Sequence, residues 1–214
     1  MIFNLSKTNS IANTFIAELR DEVIQKDSMR FRKNLERLGA FFGYEISKTL
    51  SYTEVETQTP LGIAKSALLA EQPVLATILR AGLPMQQGLL SVFDRADCAF
   101  ITAYRKTKKS GDFVIQMEHI SAPDLKGKTI ILIDPMLATG LSMVLCAKEL
   151  INSYKIKKLH IVSAIASTEG VKHVQANLPK ADLWIGAIDE EMTSKSYIVP
   201  GLGDAGDLAY GLKA

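Results

Sequence analysis

Five short runs of apolar residues, separated by segments long enough to form helices, constrain the fold more than any other feature of this sequence. Runs that are apolar at nearly every position indicate parallel strands covered on both faces, because a strand with one face in water alternates apolar and polar residues. The sequence therefore predicts an α/β fold with a mostly parallel central sheet and helices on both faces. The runs span residues 74–79, 99–103, 129–133, 159–166 and 183–188.

The first quarter of the chain has a different pattern. Apolar residues at every third or fourth position predict an amphipathic helix over residues 31–50, with Asp27 or Ser28 as its N-cap. A shorter helix is expected over 11–19, and alternating residues predict a strand over 52–58. We interpret these N-terminal helices as scaffold or subunit interface.

Residues 113–119 follow their preceding strand through a short polar loop, which predicts an antiparallel hairpin partner rather than another parallel strand. No internal repeat, low-complexity tract or linker divides the sequence. Residues 1–214 are therefore predicted to form one domain.

Composition excludes several functional classes. With 47% apolar residues the chain can bury a large core without disulfides or metals. Cys98 and Cys146 lie in apolar runs without metal-ligand spacing, which predicts two buried, reduced thiols. The first ten residues contain neither the apolar run nor the small-residue cleavage site of a signal peptide. No apolar stretch approaches the ~18 residues of a membrane span. We therefore expect a cytoplasmic protein that binds no membrane. A net charge of +2 is too small for a nucleic-acid binder but compatible with small anionic ligands.

In open parallel sheets the ligand lies beyond the carboxyl ends of the strands. Each apolar run is followed by a polar residue there, and these candidates are Arg80, Arg105, Asp134, Thr168 and Asp189. A second acidic site is one interpretation of Asp182, Asp189, Glu190 and Glu191, and a solvated cluster is the favoured one. The three histidines lack metal-ligand spacing and are interpreted as structural.

The segment from Asp134 to Ser142 follows a buried strand and leads into a helix that begins near Gly140. A helix N-terminus presents unpaired N–H groups and a positive dipole to a phosphate. Thr139 and Ser142 add hydroxyl donors, and Asp134 can accept hydrogen bonds from sugar hydroxyls. This combination predicts a sugar phosphate site, although ordinary helix capping would place the same residue types here. A nucleotide-hydrolysing P-loop is disfavoured because no GxxxxGK[ST] motif occurs.

An aliphatic run followed by an acid, then ATG and serine, resembles the PRPP-binding motif of the type I phosphoribosyltransferases. The form IDPMLATG is similar to the uracil phosphoribosyltransferases, and the resemblance continues through 78–82, Tyr104-Arg105 and 197–207. Two features depart from the family pattern: Leu141 stands where a glycine is usual, and residues 106–111 are basic where acidic residues are common.

The resemblance implies the residues of the site. It implies that Arg80 and Arg105 contact pyrophosphate, with Asp134, Arg105 and Asp204 in catalytic positions. From position alone, Arg80 either pairs with pyrophosphate oxygens or forms a surface ion pair. The basic loop after Arg105 is either a lid over pyrophosphate or a solvated loop. The remaining PRPP contacts implied are Pro135, Met136, Leu137, Ala138, Thr139, Gly140, Leu141 and Ser142. The implied uracil contacts are Ile198, Gly203, Asp204 and Ala205.

Residues 201–206 also match GxGxxG, a weak signal for a dinucleotide. The match is not expected to function in that way, because the fingerprint needs a preceding strand, a following helix and an acid about 20 residues further on. A plain glycine-rich tail is the other interpretation. In the family interpretation, backbone groups of this segment match the N3–H and two carbonyls of uracil.

The implied reaction is uracil plus PRPP giving UMP and pyrophosphate, with Mg²⁺ bound to PRPP. The resemblance also implies a homodimer or larger homo-oligomer. Two alternatives stay open: a PRPP- or nucleotide-sensing regulator on the same fold, and a phosphoribosyltransferase for another base.

Overall fold

The computed structural model describes residues 1–107 and 113–212, and side chains in these ranges except 104–118. Its α-helices are α1 (Ile11–Arg20), α2 (Ser28–Ser47), α3 (Leu83–Leu90), α4 (Leu141–Tyr154), α5 (Thr168–Asn177) and α6 (Ala205–Tyr210). Its strands are β1 (Ile2–Asn4), β2 (Tyr52–Thr59), β3 (Gly62–Leu69), β4 (Val74–Leu79), β5 (Cys98–Thr107), β6 (Phe113–Ser121), β7 (Thr129–Ile133), β8 (Met136–Leu137), β9 (Lys158–Ser167), β10 (Asp182–Asp189), β11 (Glu191–Met192) and β12 (Ile198–Val199).

The main sheet has the strand order β1-β10-β9-β7-β4-β5-β6, and β8 adds a short pairing to β9. All of these pairs are parallel except β5–β6, which is antiparallel. The prediction of a mostly parallel sheet is confirmed, as is the antiparallel partner over 113–119. The carboxyl ends of β4, β7, β9 and β10 therefore meet at one edge.

Two separate apolar cores cover the two faces of the sheet. Alternate residues of one strand point to opposite faces, and in β7 Ile131 and Ile133 pack with α1, α2, α3 and α6, whereas Ile130 and Leu132 pack with α4 and α5. Helices on both faces explain why the strands are apolar at almost every position.

Some local predictions need correction. The helix expected over 31–50 runs from Ser28 to Ser47, with Asp27 as its N-cap. Cys98 is half-buried rather than buried, whereas burial of Cys146 is confirmed and raises the pKa of its thiol to about 12. Among the described helices, none has the length and apolar character needed to cross a bilayer.

Apart from the two-residue strands β8, β11 and β12, three elements were missed by the sequence analysis: β1, β3 and α6. The strand β3 pairs antiparallel with β2 in a hairpin that lies outside the main sheet. Most residues of this hairpin are exposed, so no buried face imposed an alternating pattern on β3. The other two are short, with three residues in β1 and six in α6.

Candidate active site

A cavity of about 800 Å³ opens at the carboxyl edge of the sheet. Two segments contribute residues to its wall: residues 134–142, here called the phosphate loop, and residues 198–205, the base segment. Most of the predicted site residues line this cavity, namely Arg80, Asp134, Met136, Leu137, Ala138, Thr139, Gly140, Ser142, Ile198, Gly203, Asp204 and Ala205.

Three residues implied by the family resemblance, and the candidates Thr168 and Asp189, are not among the described residues that line this cavity. Thr168 Oγ1 instead donates to the Asp189 carbonyl at 3.3 Å. Pro135 is buried, and its carbonyl accepts a hydrogen bond from Ile165 N–H at 3.0 Å. Leu141 begins α4 and is 51% exposed. The side chains of Arg105 and of the basic loop are not among those that the structure describes. Contacts of these three residues with PRPP stay predictions.

The phosphate loop follows β7 and, like β7, pairs with β9. Asp134 N–H donates to the Val162 carbonyl at 3.1 Å, and Met136 and Leu137 pair with Ile165 and Ala166 as β8. The Asp134 carboxylate accepts a hydrogen bond from Met136 N–H at 3.3 Å. Backbone pairing to a buried strand therefore fixes the carboxylate at the cavity wall.

The end of the phosphate loop is closely packed against the start of α5. Gly140, the N-cap of α4, has φ +77°, a left-handed conformation that favours glycine. Gly170 of α5 lies so near the loop that an added Cβ would be 2.2 Å from the Ala138 carbonyl oxygen, which also accepts from Ser167 Oγ at 2.6 Å. The sequence of the first turn of α4 contains no acid. Gly140 and Ser142 line the cavity, so this end of the helix borders it with no opposing charge in the first turn. Leu141 N–H donates to Thr139 Oγ1 at 3.4 Å.

Arg80 follows β4 and reaches across to the C-terminal helix. Its Nη2 donates to Asp207 Oδ1 at 3.3 Å and to the Gly211 carbonyl at 3.1 Å. The side chain remains 40% exposed. Arg80 therefore connects the strand that borders the phosphate loop with the element that follows the base segment.

The base segment turns sharply at two glycines. Gly201 has φ +55° and Gly203 has φ +91°. Ile198 is buried within the short β11–β12 pairing. Asp204 is the N-cap of α6, where its Oδ1 accepts from Gly206 N–H at 2.9 Å and Asp207 N–H at 3.0 Å. Gly203 lines the cavity and has no side chain, so its backbone borders the cavity.

Asp189 is not part of a solvated cluster, and that interpretation is wrong. It is only 7% exposed, and its carboxylate accepts two hydrogen bonds from the Arg20 guanidinium, at 2.7 and 2.8 Å. Asp182 at the other end of β10 is also paired, with Lys158 and the amino group of Met1. Both acids were misjudged because their partners are distant in the sequence.

His160 is structural, as predicted. Its Nδ1 accepts a hydrogen bond from Trp184 Nε1 at 3.1 Å, and burial lowers the pKa of its imidazole to about 4. The ring is therefore neutral near pH 7 and packs in the sheet.

Solved structures share this architecture. The AQ2163 protein from Aquifex aeolicus superposes with a TM-score of 0.88 at 30% identity, over 100% of both chains. A hypoxanthine phosphoribosyltransferase from Staphylococcus aureus matches 75% of this chain and 76% of its own, with a TM-score of 0.50 and 15% identity, a likeness that establishes the fold alone. The chain has the type I phosphoribosyltransferase fold, which confirms the predicted fold class.

The family model described as uracil phosphoribosyltransferase matches residues 6–211. The uracil phosphoribosyltransferase of Porphyromonas gingivalis is 47% identical over 213 residues, which cover 99% of each chain. This chain belongs to the uracil phosphoribosyltransferase family and is a phosphoribosyl-transferring enzyme. The predicted family and enzyme class are confirmed.

Proposed function

We propose that this chain transfers the phosphoribosyl group of PRPP to N1 of uracil, releasing pyrophosphate and forming UMP. The observation that carries the proposal is that residues of the phosphate loop and of the base segment line the same cavity. Two substrates bound at these two segments would meet in that cavity. Such placement converts a bimolecular encounter into an effectively intramolecular one.

The 5′-phosphate of PRPP is assigned to the N-terminus of α4. Thr139, Gly140 and Ser142 line the cavity at this point. The positive end of the helix dipole and the backbone N–H groups there favour a dianion. A phosphate at this position places the ribose toward Asp134.

Asp134 is assigned to the ribose hydroxyls. Its carboxylate is fixed by the backbone pairing of the phosphate loop, so it does not need to reorganise when the sugar binds. As the bond from C1′ to pyrophosphate breaks, positive charge grows on the sugar ring, and a nearby carboxylate stabilises that charge. The reaction requires no covalent nucleophile.

Arg80 and Arg105 are assigned to pyrophosphate. A guanidinium pairs with phosphate oxygens through two parallel hydrogen bonds. Arg80 pairs with Asp207, so pyrophosphate oxygens would compete with that carboxylate for the guanidinium. Arg80 can change partner because it lies partly in solvent.

Mg²⁺ is proposed to enter bound to PRPP. The residues fit this role: the carboxylates of Asp134 and Asp204 line the cavity, and Mg²⁺ prefers oxygen ligands while retaining several waters. The described residues contain no group of three metal-ligating side chains. Bound there, the ion would neutralise charge on the leaving pyrophosphate. Turnover should stop when EDTA is added and recover with excess Mg²⁺; full activity in EDTA would contradict this role.

Uracil is assigned to the backbone of the base segment at Ile198, Gly203 and Ala205. Uracil presents one N–H donor between two carbonyl acceptors, and backbone groups can match this pattern without side chains. The side chain of Asp204 is assigned to the PRPP half of the site. The residue lines the cavity, and its carboxylate accepts from the N–H of Gly206 at the start of α6.

Incubation with PRPP, Mg²⁺ and each free base in turn, followed by identification of products, tests the proposal. We expect UMP from uracil and no nucleotide from cytosine, adenine or hypoxanthine. A different nucleotide would overturn the base assignment. PRPP binding without any product would favour the regulator.

The organisation of the chain as one domain, its cytoplasmic location and a homo-oligomeric state are also proposed. Free thiols suit a reducing compartment, and both cysteines are free. The β2–β3 hairpin exposes Leu61, Ile63 and Leu68, with Leu61 100% exposed, and exposed apolar groups of this kind often mark interaction surfaces. Sedimentation equilibrium should give at least twice the 23.4 kDa chain mass; a monomer would contradict it.

A further inference from the structure

A buried ion pair lies directly behind the base segment. Asp189 ends β10, and Arg20 ends α1. The two side chains form a bidentate pair, with Arg20 Nη2 donating to Asp189 Oδ1 at 2.7 Å and Nη1 to Oδ2 at 2.8 Å. Only 6% of the Asp189 side chain and 23% of the Arg20 side chain are exposed.

The same ion pair binds both polar backbone groups of Gly201. Asp189 Oδ2 accepts from Gly201 N–H at 2.9 Å, and Arg20 Nη1 donates to the Gly201 carbonyl at 3.0 Å. These contacts fix the position and the direction of one residue in the middle of the base segment. Ile198 and Gly203, the proposed uracil contacts, are three and two residues away.

Gly201 has little freedom to adopt another position. Its φ of +55° lies in the left-handed region, and a Cβ built on it would be 2.1 Å from the Ile198 carbonyl oxygen. Within the base segment, the chain therefore makes its closer backbone approach at the residue that the ion pair holds, since the nearest atom to a Cβ on Gly203 would be 3.8 Å away. A shift of Gly201 would move the backbone on both sides.

Other N-terminal side chains donate to carbonyls of the C-terminal part of the chain. Arg32 Nη1 donates to the Ala209 carbonyl at 2.7 Å. The Gln25 amide, in the orientation that satisfies both of its polar atoms, donates to the Leu202 carbonyl at 2.7 Å. A glycine-rich segment has few side chains of its own to pack and loses much conformational entropy on ordering. External donors to its carbonyls offset that loss.

We propose that Arg20 and Asp189 are positioning residues that set the geometry of the base pocket, an inference that rests on the proposed function. Neither belongs to the described cavity-lining residues, so both act through the Gly201 backbone. Loss of their pairing should impair uracil binding while leaving the phosphate loop intact. The affected parameter is therefore the KM for uracil and not the KM for PRPP.

Asp189→Asn is the test variant, and Asp182→Asn is its matched control. The asparagine keeps the shape of the side chain but replaces one carboxylate oxygen by an NH₂ group. That group donates hydrogen bonds and cannot accept from Arg20 or Gly201. Asp182 lies at the opposite end of the same strand and also accepts from charged partners, Lys158 and the Met1 amine. A general loss of stability in β10 would affect both variants in the same way.

Steady-state kinetics with each substrate varied in turn should separate the two roles. For Asp189→Asn we expect the KM for uracil to rise by about tenfold or more, as for loss of a hydrogen bond to a charged group. The KM for PRPP should stay within about twofold, the range for distant surface changes. The control should leave both values unchanged. Equal increases for both substrates, or the same increase in the control, would overturn the proposal.

Amide hydrogen exchange of the free protein gives a second measurement that does not depend on which base is used. Peptides covering 198–204 should exchange faster in Asp189→Asn than in wild type and should be unchanged in Asp182→Asn. Unchanged exchange in Asp189→Asn would contradict positioning by the ion pair. If wild type instead converts another base, the proposed function fails, and the same exchange difference still supports the positioning role.

Discussion

The phosphate loop is held by its own residues and by the strand and helix that follow it in the chain, whereas the base segment is held in part by the distant first helix. Asp134 accepts from the N–H of Met136, Met136 and Leu137 pair with β9, and Gly140 is the N-cap of α4. By contrast, Gly201 is held by Arg20 across a sequence separation of 181. A site for a phosphate can be made from one helix end, which any strand–loop–helix unit supplies. A site for a planar base needs backbone groups in a defined arrangement, which a glycine-rich segment cannot maintain unaided.

If the phosphate loop holds the ribose phosphate and the base segment holds the base, removing a charge from the phosphate loop should lower kcat more than any other change considered below. Asp134→Asn retains the acceptor for Met136 N–H but removes the charge near the ribose. We expect kcat to fall by about 10²-fold or more, since electrostatic groups at reacting centres typically contribute this much. Thermal unfolding should be nearly unchanged. Unaltered kcat would mean that Asp134 merely terminates a strand.

Two glycine substitutions should separate the two regions. In Gly140→Ala and in Gly203→Ala, the alanine must adopt a left-handed conformation. This conformation costs a non-glycine residue about 1–2 kcal/mol. The Cβ at Gly140 would also lie 3.0 Å from the Gly170 carbonyl oxygen, whereas the nearest atom at Gly203 is 3.8 Å away.

We expect Gly140→Ala to raise the KM for PRPP by about tenfold and Gly203→Ala to raise the KM for uracil by a similar factor, each leaving the other substrate little affected. Initial rates with one substrate saturating measure both values. If each variant raised both KM values equally, the two regions would not be separate.

Leu141→Gly should have a small effect. Leu141 replaces the glycine usual in the family, yet its side chain is 51% exposed at the start of α4. We expect the KM for PRPP to change by less than about twofold, while chemical denaturation shows a loss of about 1 kcal/mol or less from the lower helix propensity of glycine. A tenfold lower KM would show that this leucine restricts the phosphate site.

The same difference between regions explains what could be predicted from the sequence. The strands of the main sheet were visible because burial on both faces makes them apolar throughout, and the loop after β7 was visible because its parts are adjacent. The roles of Arg20 and Asp189 were not visible, because an arginine at the end of a helix and an acid at the end of a strand are ordinary until the fold brings them together. The strand β3 was missed because most of its residues are exposed, and Leu69 at its end packs against the core.

Asp204 connects the two regions, since it lines the cavity and is the N-cap of α6. Asp204→Ala would remove the cap as well as the charge, and loss of a cap alone costs about 1 kcal/mol. Asp204→Asn is the better variant because asparagine caps helices as well as aspartate does. It should lower kcat with PRPP while keeping the shape of the base segment.

The ratio of kcat/KM for uracil to that for cytosine, measured in wild type and in Asp204→Asn, tests most directly whether the backbone of the base segment recognises the base. If it does, discrimination comes from backbone donors and acceptors that this substitution leaves in place, and the ratio should be unchanged. A collapse of the ratio by about 10⁴-fold, as expected when a hydrogen bond that selects the base is lost, would show that the Asp204 side chain contacts uracil and would contradict the assignment of Asp204 to PRPP.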